Sequence, residues 1–167
     1  MEVVIDFEFL RGRHNEIVVK ELAVAGKNFG ESFRFECPYA MAAHGSDENG
    51  LNWDDGHIPY HKLFTVLSEA VANFAHLYSI GTTKCKVLSD LLGLLIHDLQ
   101  DFICPNPSSF KPKFSCSLPC HRFPDVSCAT KNAHSLYDWL KYHLQTESYV
   151  KCPKDMTRRT SKFISAI

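Results

Sequence analysis

The first 37 residues contain three short apolar runs rich in β-branched and aromatic side chains, and they are joined by turn-forming segments. The runs are residues 3–10 (VVIDFEFL), 17–25 (IVVKELAVA) and 32–37 (SFRFEC), separated by RGRHN and by GKNFGE. Runs of this length and composition predict β-strands, and short turn-rich connections favour antiparallel neighbours. The N-terminal third of the chain is therefore predicted to form a three-stranded antiparallel meander.

Helical and strand-like patterns alternate after a long connection over residues 38–60. We predict a helix, a strand, a helix, a strand and a final helix at 60–74, 76–81, 84–93, 94–102 and about 129–144. The order predicts an α/β fold with a mixed sheet and helices on its faces. We assign residues 1–147 to this domain and 148–167 to a basic, flexible C-terminal tail.

Composition limits the classes of protein to consider. The chain has 167 residues and a formal net charge of −1, which fits a single domain without overall basicity. The N-terminal apolar run carries carboxylates and lacks a basic leader, and the longest apolar run is too short to span a bilayer. With seven cysteines and no such leader, we expect an intracellular protein of the cytoplasm or nucleus, with thiols and a metal site but no membrane partner.

The metal site is predicted from a cluster of thiols and imidazole. Residues 116–128 read CSLPCHRFPDVSC and supply Cys116, Cys120, His121 and Cys128 just before the last helix. Thiolate and imidazole are preferred zinc ligands, and four of them close a structural site. The other interpretation is a set of buried thiols with no metal.

A second candidate site lies in the first strand, where Asp6 and Glu8 flank Phe7. Residues two apart in a strand share a face, so both carboxylates project together from an apolar strand. Such a pair needs a divalent cation or a raised pKa if it is buried. An edge strand with two solvated carboxylates is the alternative.

These features together resemble the RNase H-like fold of the DEDD 3′–5′ exonucleases, in which four carboxylates hold two magnesium ions. Asp6 and Glu8 match the first two acids. Lys84 or Lys86 stands at the third position, and Asn132 replaces the last aspartate. An ammonium repels magnesium and an amide is a poorer ligand than a carboxylate, so the resemblance implies a degenerate centre in which Asp6 and Glu8 are vestigial.

The cysteine cluster extends this resemblance to the Maelstrom domain, a degenerate branch of the fold with a Glu-Cys-His-Cys zinc site. The similarity implies one structural Zn²⁺ bound by Glu21, Cys116, His121 and Cys128, with Cys120 as an alternative ligand. A glutamate inside the apolar segment VVKELAV fits this role because a buried carboxylate needs a partner. An exposed Glu21 is the alternative.

Lys84 and Lys86 begin a helix after a glycine turn, which is a favourable place for a phosphate. We therefore expect a zinc-stabilised, degenerate domain that binds single-stranded RNA or a protein partner, with a setting in transposon or small-RNA biology implied by the resemblance. One alternative is an active exonuclease that uses Asp6 and Glu8 with Mg²⁺ or Mn²⁺. The other is a protein-interaction module without affinity for nucleic acid. Trp53, in the long connection, is expected to pin that loop to the domain rather than stack on bases.

Overall fold

The computed structural model describes residues 1–40, 51–111 and 128–150, and it confirms an α/β fold built on a five-stranded mixed sheet. The strands lie in the order β3-β2-β1-β4-β5. Their bounds are β1 Glu2–Arg11, β2 Ile17–Gly26, β3 Phe29–Arg34, β4 His76–Ser79 and β5 Ile96–Asp98. The helices are α1 Leu63–Val71, α2 Thr82–Leu92 and α3 Ala129–Val150, with 3₁₀ turns at Tyr60–Lys62, Leu99–Phe102 and Pro107–Ser109.

The N-terminal meander is present, and its third strand begins earlier than the sequence indicated. β1 pairs antiparallel with β2, and β2 pairs antiparallel with β3. Only two residues form the second turn, and Asn28 adopts a left-handed backbone conformation there with φ 56°. Gly26 pairs directly with Phe29, so residues assigned to the turn belong to the strand. Asparagine tolerates this conformation better than most side chains, which explains the tight connection.

β4 and β5 continue the sheet in parallel on the other side of β1. β5 covers only Ile96–Asp98, although a longer strand was predicted. The carboxylate of Asp98 accepts hydrogen bonds from the backbone N–H groups of Gly81 and Gln100, at 2.9 and 3.0 Å. The second of these bonds begins a 3₁₀ turn, so the apolar residues after Asp98 leave the strand.

Helices cover the two faces of the sheet. α1 and α2 pack on the face that carries Ile5 and Phe7, and α3 packs on the opposite face. Where α3 crosses β2, the contact consists of four buried alanines: Ala23, Ala25, Ala129 and Ala133. Small side chains allow a helix to approach the sheet closely. α3 continues to Val150, beyond the predicted end at 144, and the tail residues 151–167 lie outside the described part of the chain.

Because both faces are covered, β2 has two adjacent buried charged residues. Lys20 and Glu21 are 1% and 0% exposed and project to opposite faces. The Lys20 ammonium donates hydrogen bonds to the backbone carbonyls of Trp53, at 3.0 Å, and Asp55. Trp53 is buried, and its indole N–H donates to the carbonyl of Tyr39 at 2.8 Å. Trp53 also packs in one cluster with Leu10 of β1 and Val18 of β2, which confirms that it anchors the long connection to the domain.

Candidate functional site: a carboxylate pair occupied by lysine and asparagine

Asp6 and Glu8 project from the middle of the sheet toward the start of α3. Asp6 is fully buried and Glu8 is 6% exposed, so the interpretation of β1 as a wet edge strand is wrong. β1 is the central strand, with β2 and β4 on its two sides. Two carboxylates in this position need positive charge or strong hydrogen-bond donors nearby.

Lys84 supplies the positive charge. It lies in the first turn of α2, and its side chain reaches back to the central strand. The ammonium is 2.7 Å from Asp6 Oδ1 and 3.5 Å from Glu8 Oε1. Only 19% of the Lys84 side chain is exposed, so this ion pair is largely screened from water. One cation therefore lies between the two acids.

Asn132 completes the cluster from α3. Its side-chain N–H group donates to Asp6 Oδ2 at 3.0 Å and to Glu8 Oε1 at 3.3 Å. The closely packed alanines of α3 and β2 bring this helical turn within reach of the carboxylates. Lys84, one of the two lysines that the resemblance compares with the third acid, and Asn132, which it compares with the last, both contact Asp6 and Glu8.

The pKa values of Asp6 and Lys84 reflect their burial and their attraction to each other. Burial raises the pKa of Asp6 to about 6; Lys84 opposes this rise and Glu8 adds to it. Burial alone lowers the pKa of Lys84, but the attraction of Asp6 and Glu8 is stronger, so its pKa is raised. At neutral pH, Lys84 is charged and Asp6 is mostly ionised. The site is thus an internal ion pair in which an ammonium and an amide contact the oxygens of both carboxylates.

Glu21 and Cys128 form a second arrangement beside the first. Glu21 lies directly opposite Glu8 in the β1–β2 register, on the same face of the sheet. Cys128 lies 107 residues later, immediately before α3, and its Sγ is 3.7 Å from Glu21 Oε1. Both residues are at most 1% exposed. The exposed alternative for Glu21 is therefore wrong.

This pair fits two ligands of one zinc ion. Zinc–sulfur and zinc–oxygen bonds of about 2.3 and 2.1 Å at a tetrahedral angle separate the two ligand atoms by about 3.6 Å. The Lys131 backbone N–H also points to Cys128 Sγ, at 3.4 Å. Without a metal ion, the same 3.7 Å contact is a hydrogen bond from the Cys128 thiol to the Glu21 carboxylate. Cys116, Cys120 and His121 lie outside the described residues, and within the described ranges no group of three or more metal-binding side chains is assembled.

The two lysines predicted to contact nucleic acid differ in environment. The Lys84 ammonium is engaged by Asp6 and Glu8, so binding a phosphate would compete with a buried ion pair. Lys86 is on the surface of α2, where its ammonium is 2.8 Å from Asp90 Oδ2 and its side chain is 72% exposed. Their role in nucleic-acid binding stays a prediction.

A groove along α3 was not identified from the sequence. It has a volume of about 560 Å³ and combines aromatic and basic side chains, including Lys111, Trp139, Lys141 and Tyr142. The lining of the groove on α3 begins at Ser135, one helical turn after Asn132, so the groove starts about 5 Å along the helix from that residue. The segment WLKYH carries aromatic residues three apart, and that spacing is the signal that could have located the groove.

No family model, curated protein or solved structure matches the chain. In the described ranges, the helices are too short or too polar for any of them to cross a membrane.

We expect Lys84→Met to destabilise the domain in a pH-dependent manner. Removal of one partner of a buried ion pair costs about 3–5 kcal/mol, because the other charge stays buried. The pKa of Asp6 in the folded protein lies above its pKa in the unfolded chain. Its favourable contribution to the free energy of unfolding is therefore complete below about pH 4 and is lost as pH rises through the folded-state pKa. Without Lys84 that pKa rises further, and the loss of stability is larger at about pH 8 than at pH 5.

Urea denaturation at both pH values measures this difference. Lys86→Met is the matched control, since its exposed pair with Asp90 contributes about 0.5 kcal/mol or less. Equal, pH-independent effects of the two substitutions would contradict a buried Asp6–Lys84 pair.

Proposed function

We propose that this chain is a catalytically degenerate RNase H-like domain, similar to the Maelstrom domain, that binds single-stranded RNA without hydrolysing it. The observation that carries the proposal is the contact of Lys84 and Asn132 with both Asp6 and Glu8. Two-metal hydrolysis requires carboxylates that converge on Mg²⁺, which activates water and stabilises the leaving oxygen. An ammonium among those carboxylates opposes divalent cations.

The topology supports the RNase H-like part of the proposal. An antiparallel meander supplies β1 to β3, β4 and β5 add in parallel to the other side of β1, and a final helix returns to the carboxylates. This is the element order on which the resemblance rests. Asp6 and Glu8 lie on the central strand, where the first two acids of the exonuclease pattern are expected.

Single-stranded RNA is the ligand that the groove on α3 favours. Tyr142 is 69% exposed, and aromatic rings of this kind stack on unpaired bases whatever their sequence. Lys111 and Lys141 line the same groove and can attract the phosphate backbone, with Asp138 as the acidic residue among its lining side chains. A strand bound in this groove would lie along α3, the helix whose Asn132 contacts Asp6 and Glu8, and we expect no metal-activated water at that centre.

We expect the protein to bind a labelled oligouridylate of about 20 nucleotides at low salt, with affinity that falls linearly on a log–log plot against salt. Tyr142→Ala removes a stacking ring and should cost about 1–3 kcal/mol of binding free energy. Lys141→Glu should weaken binding and reduce the salt slope. Fluorescence anisotropy measures the binding of the wild-type protein and of both variants. Lys86→Glu, measured in the same way, tests whether the surface lysine of α2 contributes to RNA binding.

Lys27→Glu is the control, because it makes the same charge change in the turn between β2 and β3. Absence of binding at low salt would contradict the RNA proposal and favour a protein-interaction module. Hydrolysis of the RNA with Mg²⁺ or Mn²⁺, abolished by Asp6→Ala and by Glu8→Ala, would establish the exonuclease alternative instead.

Placing acids at positions 84 and 132 tests directly whether Lys84 and Asn132 prevent the carboxylates from binding a divalent cation. We expect Lys84→Glu combined with Asn132→Asp to create a divalent-cation site, so that millimolar Mg²⁺ or Mn²⁺ raises the melting temperature of the variant. The wild-type protein should show no such increase. Lys84→Gln removes the positive charge without adding an acid and serves as control. Stabilisation of the wild-type protein by Mg²⁺ to the same extent would contradict an occupied carboxylate centre.

We propose further that one structural Zn²⁺ links β2 to the start of α3 through Glu21 and Cys128, with His121 and either Cys116 or Cys120 as the other ligands. The 3.7 Å separation of Glu21 Oε1 and Cys128 Sγ supports this assignment. The ion would neutralise a buried carboxylate and hold α3 against the sheet, so binding would be coupled to folding.

Zinc removal should therefore lower the melting temperature markedly. Elemental analysis is expected to find one zinc per chain, lost on Glu21→Gln or Cys128→Ser and retained on Cys104→Ala. Separate alanine substitutions at Cys116 and Cys120 identify the fourth ligand. Purified protein without zinc, together with an unchanged melting temperature in chelator, would contradict the site.

A further inference from the structure

A groove on the opposite side of the molecule from α3 lies between β3 and α1 and has a volume of about 430 Å³. Its apolar part includes Phe29, Phe33 and Phe74, and the rings of Phe29 and Phe74 are 5.4 Å apart. Glu31 and Glu69 are exposed at the same groove, and its lining contains no lysine or arginine. The groove therefore combines an aromatic floor with negative charge.

Among the described residues, the backbone beside this groove forms an unpaired strand edge. β3 is the last strand of the sheet order, and its inner side pairs with β2. The backbone of His57 and Ile58 bonds to Arg34 and Glu36, beyond the groove. Within the described ranges, no strand pairs with the outer side of residues 29–33. Charged side chains, proline and bulges usually protect such an edge, and residues 29–33 (FGESF) contain neither proline nor a bulge, with Glu31 as their one charged residue.

We propose that this edge binds an extended, basic segment of a partner protein, which adds to the sheet as a sixth strand. Strand addition uses the exposed backbone groups for affinity and alternate side chains for specificity. This inference is independent of the RNase H-like assignment and of the groove on α3.

The register of β3 defines the peptide that fits. Phe29, Glu31 and Phe33 alternate along one face of the strand and line the groove, so the partner must place apolar, basic and apolar side chains opposite them. The intervening positions face the α3 side. There a side chain on Gly30 would come within 2.6 Å of the His134 ring, which leaves room only for small residues nearby. The expected motif is apolar–small–basic–small–apolar.

Charge excludes nucleic acid from this surface. Glu31 and Glu69 would repel phosphates, and the nearest arginine of the strand, Arg34, has its guanidinium 3.7 Å from the Asp55 carboxylate. A basic peptide gains from the same two glutamates. The groove on α3 and the groove beside β3 are thus suited to ligands of opposite charge.

The probe is a fluorescein-labelled peptide, Ser-Ile-Ser-Lys-Ser-Ile-Ser, titrated with the full chain and followed by fluorescence anisotropy. We expect saturable binding that Glu31→Lys weakens by about tenfold or more. A peptide with glutamate in place of its lysine should bind the Glu31→Lys protein better than the wild type, since the charges have been exchanged. Asp101→Lys, an exposed acid near β5, is the matched control and should leave binding unchanged.

A second peptide tests the strand addition itself. Methylation of alternate backbone nitrogens removes hydrogen-bond donors without changing the side chains, and it should abolish binding when the methylated groups face β3. Circular dichroism verifies that each protein variant is folded. Absence of binding, binding unaffected by Glu31→Lys, binding unaffected by methylation in either register, or displacement of the peptide by oligouridylate would each overturn the proposal.

Discussion

The buried ion pair of Asp6 and Lys84 is the interaction on which the arrangement of the site depends. It joins the central strand to the start of α2, and the amide of Asn132 adds α3 through both Asp6 and Glu8. Burial of carboxylates in a sheet is unfavourable unless charge and hydrogen bonds compensate it. Since β1, α2 and α3 supply the interacting groups, the cluster fixes the relative positions of these three elements.

The same constraint explains the buried charges of β2. Helices and a long connection cover the sheet on both faces, so adjacent residues of an inner strand are both removed from water. The buried Lys20 ammonium donates hydrogen bonds to backbone carbonyls of the long connection. The buried Glu21 carboxylate contacts Cys128 at the start of α3. Each buried charge thus contacts a segment distant in sequence, which ties the connection to one face and the last helix to the other.

The two grooves lie on different sides of this framework and have opposite chemical character. The groove on α3 combines exposed Tyr142 with two lysines, whereas the groove beside β3 combines three phenylalanines with two glutamates. The lining of each groove comes largely from strands and helices, and neither lining includes a side chain of the ion-pair cluster. Under the two proposals, RNA would bind the groove on α3 and a basic protein segment would bind the groove beside β3.

The sequence by itself determined the order of the elements, the meander and the pairing of Asp6 with Glu8 on one face, because strand and helix periodicities are local properties of the chain. The resemblance, rather than any local pattern, brought Lys84 or Lys86 and Asn132 together with Asp6 and Glu8, and grouped Glu21 with Cys128; the structure shows contacts of Lys84 and Asn132 with Asp6, and of Glu21 with Cys128. Only the tertiary structure decided that Lys84, and not Lys86, reaches Asp6, since the two differ by their direction around α2. The early start of β3, the buried role of Lys20 and both grooves were likewise decided by packing, because they depend on distances between segments that no local pattern encodes.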